Sequence, residues 1–398
     1  MTAETPIDPR FDTIRDRRGT NCSKWDGMES LFGVSPEDGL SMWVADMDFA
    51  APEIVQRALA DYVSGGVYGY ADSDRGLREA TASWMQTRHG WTLEPDHVLS
   101  TNGMVNAIGL AIDAYSAPGD GVVVFTPVYH AFKRVIDAAK RELIDCPLRV
   151  ENGRHVMDFD AYDAIIPVHA KIVILCSPHN PGGQVWRPDE LRALADFAQR
   201  HDLILLSDEI HHDLLYPGHT HTPMAVAAPE IEDRLVMMTA TTKTFNIAGA
   251  HISQVTIADT ALRARYAARK KALATSPGAF GLLLAEAAYS PEGADWLEAL
   301  MRYLDGNRRL FDQGVNAIPG VQSMVLESTY LAWVDFTGTG MDRNELNRRI
   351  RKAARIAASP GESFGPRSET WARFNIGMPR ASIAEAVDRL QSAFADLQ

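Results

Sequence analysis

Four short, uninterrupted apolar runs mark the middle of the chain: Val122-Val123-Val124-Phe125, Ile172-Val173-Ile174-Leu175, Leu203-Ile204-Leu205-Leu206 and Leu235-Val236-Met237-Met238. Runs of this length without polar alternation predict strands buried on both faces. Between the second and third, Pro188 to Arg200 places Leu191, Leu194, Ala195 and Phe197 at helical spacing, and Pro188 suits a helix start. Strand–helix–strand alternation predicts a mostly parallel sheet with right-handed crossovers. Upstream, Pro52 to Val63 reads as an amphipathic helix ended by Gly65-Gly66, and Leu77 to Arg88 as another stopped by Gly90. After about Tyr289 helices dominate, with a few strands such as Tyr330 to Phe336. The expected architecture is α/β: a large, mostly parallel sheet domain over 50–285 and a smaller α+β domain over 286–398, joined by an N-terminal arm, 1–49.

Composition narrows the classes. A chain of 398 residues, 46% hydrophobic, is too long for one simple core. A net charge of −13 with no basic run argues against a nucleic-acid partner. No stretch of about 18 apolar residues occurs, so no membrane span is expected. Met1 to Arg18 carries acids, prolines and arginines around no apolar core and does not read as a secretory signal. Cys22, Cys146 and Cys176 show no CxxC spacing, which fits a reduced, cytoplasmic compartment.

Open parallel sheets bind ligands beyond the carboxyl ends of their strands. The four runs lead into Thr126-Pro127-Val128-Tyr129, Cys176-Ser177-Pro178-His179-Asn180-Pro181, Ser207-Asp208-Glu209-Ile210-His211 and Thr239-Ala240-Thr241-Thr242-Lys243. An aromatic, an amide, a carboxylate and a lysine therefore converge on one edge. Each suits one task in pyridoxal chemistry. A lysine can form an imine with an aldehyde, and a carboxylate can keep a pyridine nitrogen protonated. An amide can donate to a phenolate oxygen, and an aromatic can stack on a ring face. Ser100-Thr101-Asn102-Gly103-Met104-Val105, ahead of the apolar helix Ala107 to Tyr115, would turn backbone N–H groups toward a phosphate.

With these residues in view, the sequence resembles the fold-type I, class I/II aminotransferase relatives, in particular the MalY/PatB-like cystathionine β-lyase (C–S lyase) branch. The strings that carry the resemblance span nearly the whole chain. They include Trp43-Val44-Ala45-Asp46-Met47-Asp48-Phe49, Tyr68-Gly69-Tyr70, Asp208-Glu209-Ile210-His211, Thr242-Lys243-Thr244-Phe245-Asn246, Gly361-Glu362-Ser363-Phe364-Gly365 and Arg373-Phe374-Asn375. The first and third strings are specific to the branch. The resemblance implies pyridoxal 5'-phosphate as cofactor, held covalently by Lys243. It implies Asp208 against the pyridine nitrogen, Asn180 at the phenolate oxygen and Tyr129 on the ring. His211 stands where many aminotransferases have tyrosine. Gly103, Met104 and Val105 would serve the phosphate, with Thr242 nearby. Tyr70 would arrive from the other subunit of a homodimer, and Arg373 would clamp the substrate carboxylate, a bidentate task that lysine does poorly. Lys243, Asp208 and Tyr129 form the expected catalytic set.

Two positions depart from the wider pattern. His251 replaces an arginine that often grips the phosphate, and Asn102 replaces an expected proline. Trp25 and Trp43 can line a substrate entrance or pack the arm. His211, His212, Asp213, His219 and His221 invite a metal reading, but no zinc-type spacing such as HExxH accompanies them, and no metal is expected. The resemblance implies α,β-elimination from a small amino-acid substrate, a cysteine S-conjugate. Transamination between an amino acid and a 2-oxo acid shares the same residues, and a regulatory binding protein that kept the fold is a third reading.

Overall fold

The computed structural model describes residues 8–397. The first seven residues, part of the arm and of the stretch read as non-secretory, lie outside it. Seven strands form the large sheet: β1 (Val98–Thr101), β2 (Gly121–Val124), β3 (Glu142–Asp145), β4 (Ala170–Cys176), β5 (Ile204–Asp208), β6 (Leu235–Thr239) and β7 (Ser253–Thr256). Their order is β1-β7-β6-β5-β4-β2-β3. The β6-β5-β4-β2-β3 neighbours pair in parallel, while β7 runs antiparallel to both β6 and β1. The architecture is α/β, as the apolar runs imply.

Strand periodicity explains the two-sided burial. Val122, Val124, Ile172, Ile174, Leu206, Val236 and Met238 pack in one core with the Met104–Tyr115 helix. Their neighbours Val123, Val173, Leu175, Leu205 and Met237 enter the core on the opposite face. Successive side chains alternate across a sheet. A sheet covered on both sides therefore needs apolar residues at every position, each large one contributing about 1.5–3 kcal/mol by burial. The same parity sends Asp208, two residues after Leu206, to the face that holds the Met104–Tyr115 helix.

The Pro188–Arg200 helix occupies the span that the periodicity gives, and the upstream helices run Glu53–Ser64 and Arg75–His89. A second sheet has the order Leu40–Met42, Ile356–Pro360, Trp371–Asn375, Leu331–Asp335 and Gln322–Ser323. Its central strand carries Arg373 between Ser359 and Trp333 in the cross-strand register. Among the described residues no helix is long and apolar enough to cross a membrane.

Candidate active site

Asp208 closes β5 and is buried, with the backbone N–H of Ile210 donating to Oδ1 at 3.2 Å. Burial pushes its carboxyl up to about 7, while the Ile210 N–H and the Lys243 charge pull the other way. Lys243 sits in the single turn Thr241–Thr244 that follows β6. Its amine donates to the carbonyl of Ala45 at 2.6 Å, and burial draws its pKa down to about 8. Desolvation favours the neutral form of both groups.

Arg373 reaches the same space from the second sheet. Its Nη1 donates to Asn180 Oδ1 at 2.8 Å, and its Nη2 donates to the Trp43 carbonyl at 2.6 Å. The guanidinium lies 4.8 Å from the centre of the Phe364 ring. Burial lowers its pKa to about 10, and its Nε is buried without a hydrogen-bond partner. A buried guanidinium held by neutral groups is a ready anion site, because a charge taken from water needs a counter-charge.

Gly103 begins the Met104–Tyr115 helix with φ +84° and no side-chain cap. Glycine adopts that conformation without strain. The uncapped first turn leaves backbone N–H groups for an anion. His251 arrives beside it because β7 is antiparallel, so the residues before Ser253 fall at the same edge. A Cβ on Gly103 would stand 3.9 Å from His251 Nδ1.

A cavity of about 370 Å³ joins these groups. Gly103, Met104, Val105, Thr242 and His251 are among its lining residues, as are Tyr129, Asn180, Asp208, His211, Lys243 and Arg373. Burial, with Lys243 and Arg373 nearby, holds His211 well below the usual histidine range, and its Nδ1 has no partner. Trp43 lines the cavity, whereas Trp25 packs in the arm and donates to Asp48 at 3.1 Å. Tyr70 stands apart from the cavity, fully exposed in this single chain.

Several contacts that build the site carry no local sequence signal. The Trp43–Ala45 segment supplies the carbonyls that hold Lys243 and Arg373. It is anchored by the buried Lys24–Asp48 pair at 2.9 Å and by Arg17, which bonds Asp46 and Asp48 at 2.8 Å each. Asp213 lies behind the lysine turn. Its carboxylate accepts from Trp84 Nε1 at 3.0 Å and Thr244 Oγ1 at 3.1 Å, and His89 Nε2 lies at 2.9 Å. Of the histidine run considered for metal, His212 and Asp213 do meet, joined by His89. The donors around Asp213 already satisfy that carboxylate. His130, Arg134 and Ser359 also line the cavity and were absent from the expected set.

Comparison with known proteins places the chain. The family described as aminotransferase class I and II matches residues 40–390. The chain belongs to the class I and II aminotransferase family. Within that family it is 36% identical to cystathionine β-lyase PatB of Bacillus subtilis, over 97% of this chain and 100% of the relative. Cystalysin of Treponema denticola, whose crystal structure contains a pyridoxal 5'-phosphate cofactor, superposes with a TM-score of 0.92 at 32% identity. That match covers 98% of this chain and 99% of cystalysin. The pyridoxal-phosphate-bound C–S lyase of Staphylococcus hominis gives a TM-score of 0.89 at 29% identity, over 98% of each chain. Membership in the aminotransferase family is shared by enzymes of different chemistry, so reaction must be argued from the site.

Proposed function

We propose that the protein is a pyridoxal-phosphate-dependent carbon–sulfur lyase that cleaves cystathionine or a related cysteine S-conjugate to a thiol, pyruvate and ammonia. A buried amine drawn toward neutrality, Lys243, faces the same cavity as a guanidinium without a counter-carboxylate, Arg373, which supports amino-acid chemistry on the cofactor. The observation that carries the lyase reading is the 36% identity, over 97% of the chain, to cystathionine β-lyase PatB.

The residues present fit the cofactor. Asp208 is a buried carboxylate in need of a cation, which a protonated pyridine nitrogen would supply. The uncapped helix start at Gly103, with Met104, Val105 and Thr242, would hold the phosphate, and His251 would stand beside it. The Asn180 amide and the unpartnered His211 imidazole would serve the phenolate oxygen, and Tyr129 the ring face. Pyridoxal phosphate, when bound, supplies an electron sink beside the substrate Cα.

Arg373 grips the α-carboxylate and so orients the Cα–H bond. Lys243 Nζ, neutral in part because of its lowered pKa, takes the Cα proton. The Cα–H electron pair becomes the Cα=Cβ bond as the thiolate departs with the Cβ–S pair. Tyr129, kept protonated by burial, or a water returns a proton to the sulfur. The enamine released takes up water and gives pyruvate and ammonia. Transamination by the same residues is the second reading, which the family match favours. A substrate comparison separates them: cystathionine should turn over readily and alanine, which lacks a leaving group at Cβ, poorly. Comparable rates on both would favour the aminotransferase.

We further infer a homodimer in which Tyr70 serves the partner's phosphate site. Tyr70 is fully exposed here, amid exposed Val67, Tyr68 and Phe280. Such a patch of large apolar side chains marks an association surface. Mixing Tyr70→Phe and Lys243→Ala subunits, each impaired alone, should restore part of the activity through one intact shared site. A monomer with full activity would contradict the inference.

A further inference from the structure

We propose that Arg134, presented with His130 at the rim of the cavity, selects substrates whose sulfur-linked group carries a carboxylate. The inference rests on the lyase reading and extends it from reaction to substrate class.

His130 and Arg134 lie one turn apart, joined by the bond from the Arg134 backbone N–H to the His130 carbonyl at 3.4 Å. They open the Ala131–Ala138 helix, and both face the cavity. The fully charged residue types that line the cavity are Asp208, Lys243, Arg373 and Arg134. Three of them have tasks in the reaction, and Arg134 has none. Its surroundings are otherwise paired: Lys133 bonds Asp137 at 2.6 Å, and Arg141 meets Asp113 at 3.4 Å. Arg134 joins no such ion pair among the described residues, and it is exposed. The cavity therefore keeps a surplus positive charge at its mouth.

Arg134 and Arg373 line the same cavity, and the His130 ring belongs to the wall near both. Burial lowers the His130 imidazole to about 4, and the two charges that add to the effect are Arg373 and Arg134. His130 lies 4.9 Å from the Tyr129 ring and 6.2 Å from Phe364, the ring beneath Arg373. It is thus neutral at physiological pH and shares the cavity wall with both the carboxylate clamp and the rim guanidinium. A substrate held at Arg373 by its α-carboxylate can extend its sulfur-linked arm past His130 to Arg134. A carboxylate at the far end of that arm, as cystathionine carries, meets a cation there. A plain alkyl arm does not.

The test uses the holoenzyme and two cysteine conjugates with the same Cβ–S bond, S-(2-carboxyethyl)cysteine and S-propylcysteine. The readout is the ratio of their kcat/KM values in wild type, Arg134→Gln and Arg134→Lys. Wild type should prefer the carboxylate by about two- to fivefold, the scale of one solvent-facing ion pair. The preference should collapse in Arg134→Gln, survive in part in Arg134→Lys and fade as salt is raised. An unchanged ratio in Arg134→Gln, or an equal loss on both substrates, would overturn the proposal while leaving the lyase reading intact. If wild type cleaves cystathionine but neither conjugate, the proposal falls alone; if it cleaves none of the three, the lyase reading falls with it.

Discussion

Lys243→Ala is expected to lower the turnover of cystathionine by about 10⁴-fold, the upper end of what a positioned general base contributes. Lys243 is the lysine that lines the cavity, and its amine is placed by the Ala45 carbonyl rather than by a carboxylate. Nothing therefore holds it as a tightly paired cation, and burial keeps its pKa near 8. Alanine removes both the covalent anchor for the cofactor and the base at Cα. Steady-state kinetics on the variant measure the loss. Borohydride reduction of the wild-type holoenzyme followed by peptide mapping identifies the attached lysine, and a label on any other lysine would remove Lys243 from its role.

Asp208→Asn should pull rate and stability in opposite directions. The rate should fall by about 10²–10³-fold, the usual cost of losing one preorganised electrostatic group. The cofactor should still bind, because the phosphate and lysine contacts remain. Stability of the cofactor-free protein should rise near neutral pH. The sign follows from the raised carboxyl. Burial lifts Asp208 from the ordinary 3.8 to about 7 in the fold. Its neutral form therefore contributes fully below about 4, and that contribution is lost as pH climbs through 7. The loss is on the order of a few kcal/mol at most. Asparagine stays neutral throughout and should flatten this part of the pH–stability curve. Denaturant titrations of the cofactor-free proteins at pH 5 and pH 8 read the effect. Wild-type turnover in the variant would exclude Asp208 from the mechanism.

The legible parts of the molecule were those written in local pattern. Continuous apolar runs marked β2, β4, β5 and β6 to within a residue or two. The residues after them, Tyr129, Asn180, Asp208 and Lys243, do meet in one cavity. What stayed hidden depends on contacts between distant segments. The Lys243–Ala45 bond spans 198 positions, and the Arg373–Trp43 bond spans 330. No periodicity carries information across such gaps. Asp213 looked like one more residue in a histidine-rich run, yet it collects Trp84 and His89 from the Arg75–His89 helix and Thr244 from the lysine turn. His251 reached the phosphate-loop neighbourhood through the antiparallel strand β7, which the parallel alternation did not reveal. Arg134 drew no reading from the sequence, because only the folded chain brings it to the cavity wall.

The central claim is that the electron pair released at Cα expels sulfur and does not reprotonate elsewhere. The most direct measurement supplies the purified holoenzyme with excess cystathionine and no 2-oxo acid, and counts products. One thiol, one pyruvate and one ammonia should form per cystathionine consumed, and the reaction should continue through many turnovers. A single burst equal to the enzyme concentration, followed by arrest until a 2-oxo acid is added, would contradict the account and establish transamination.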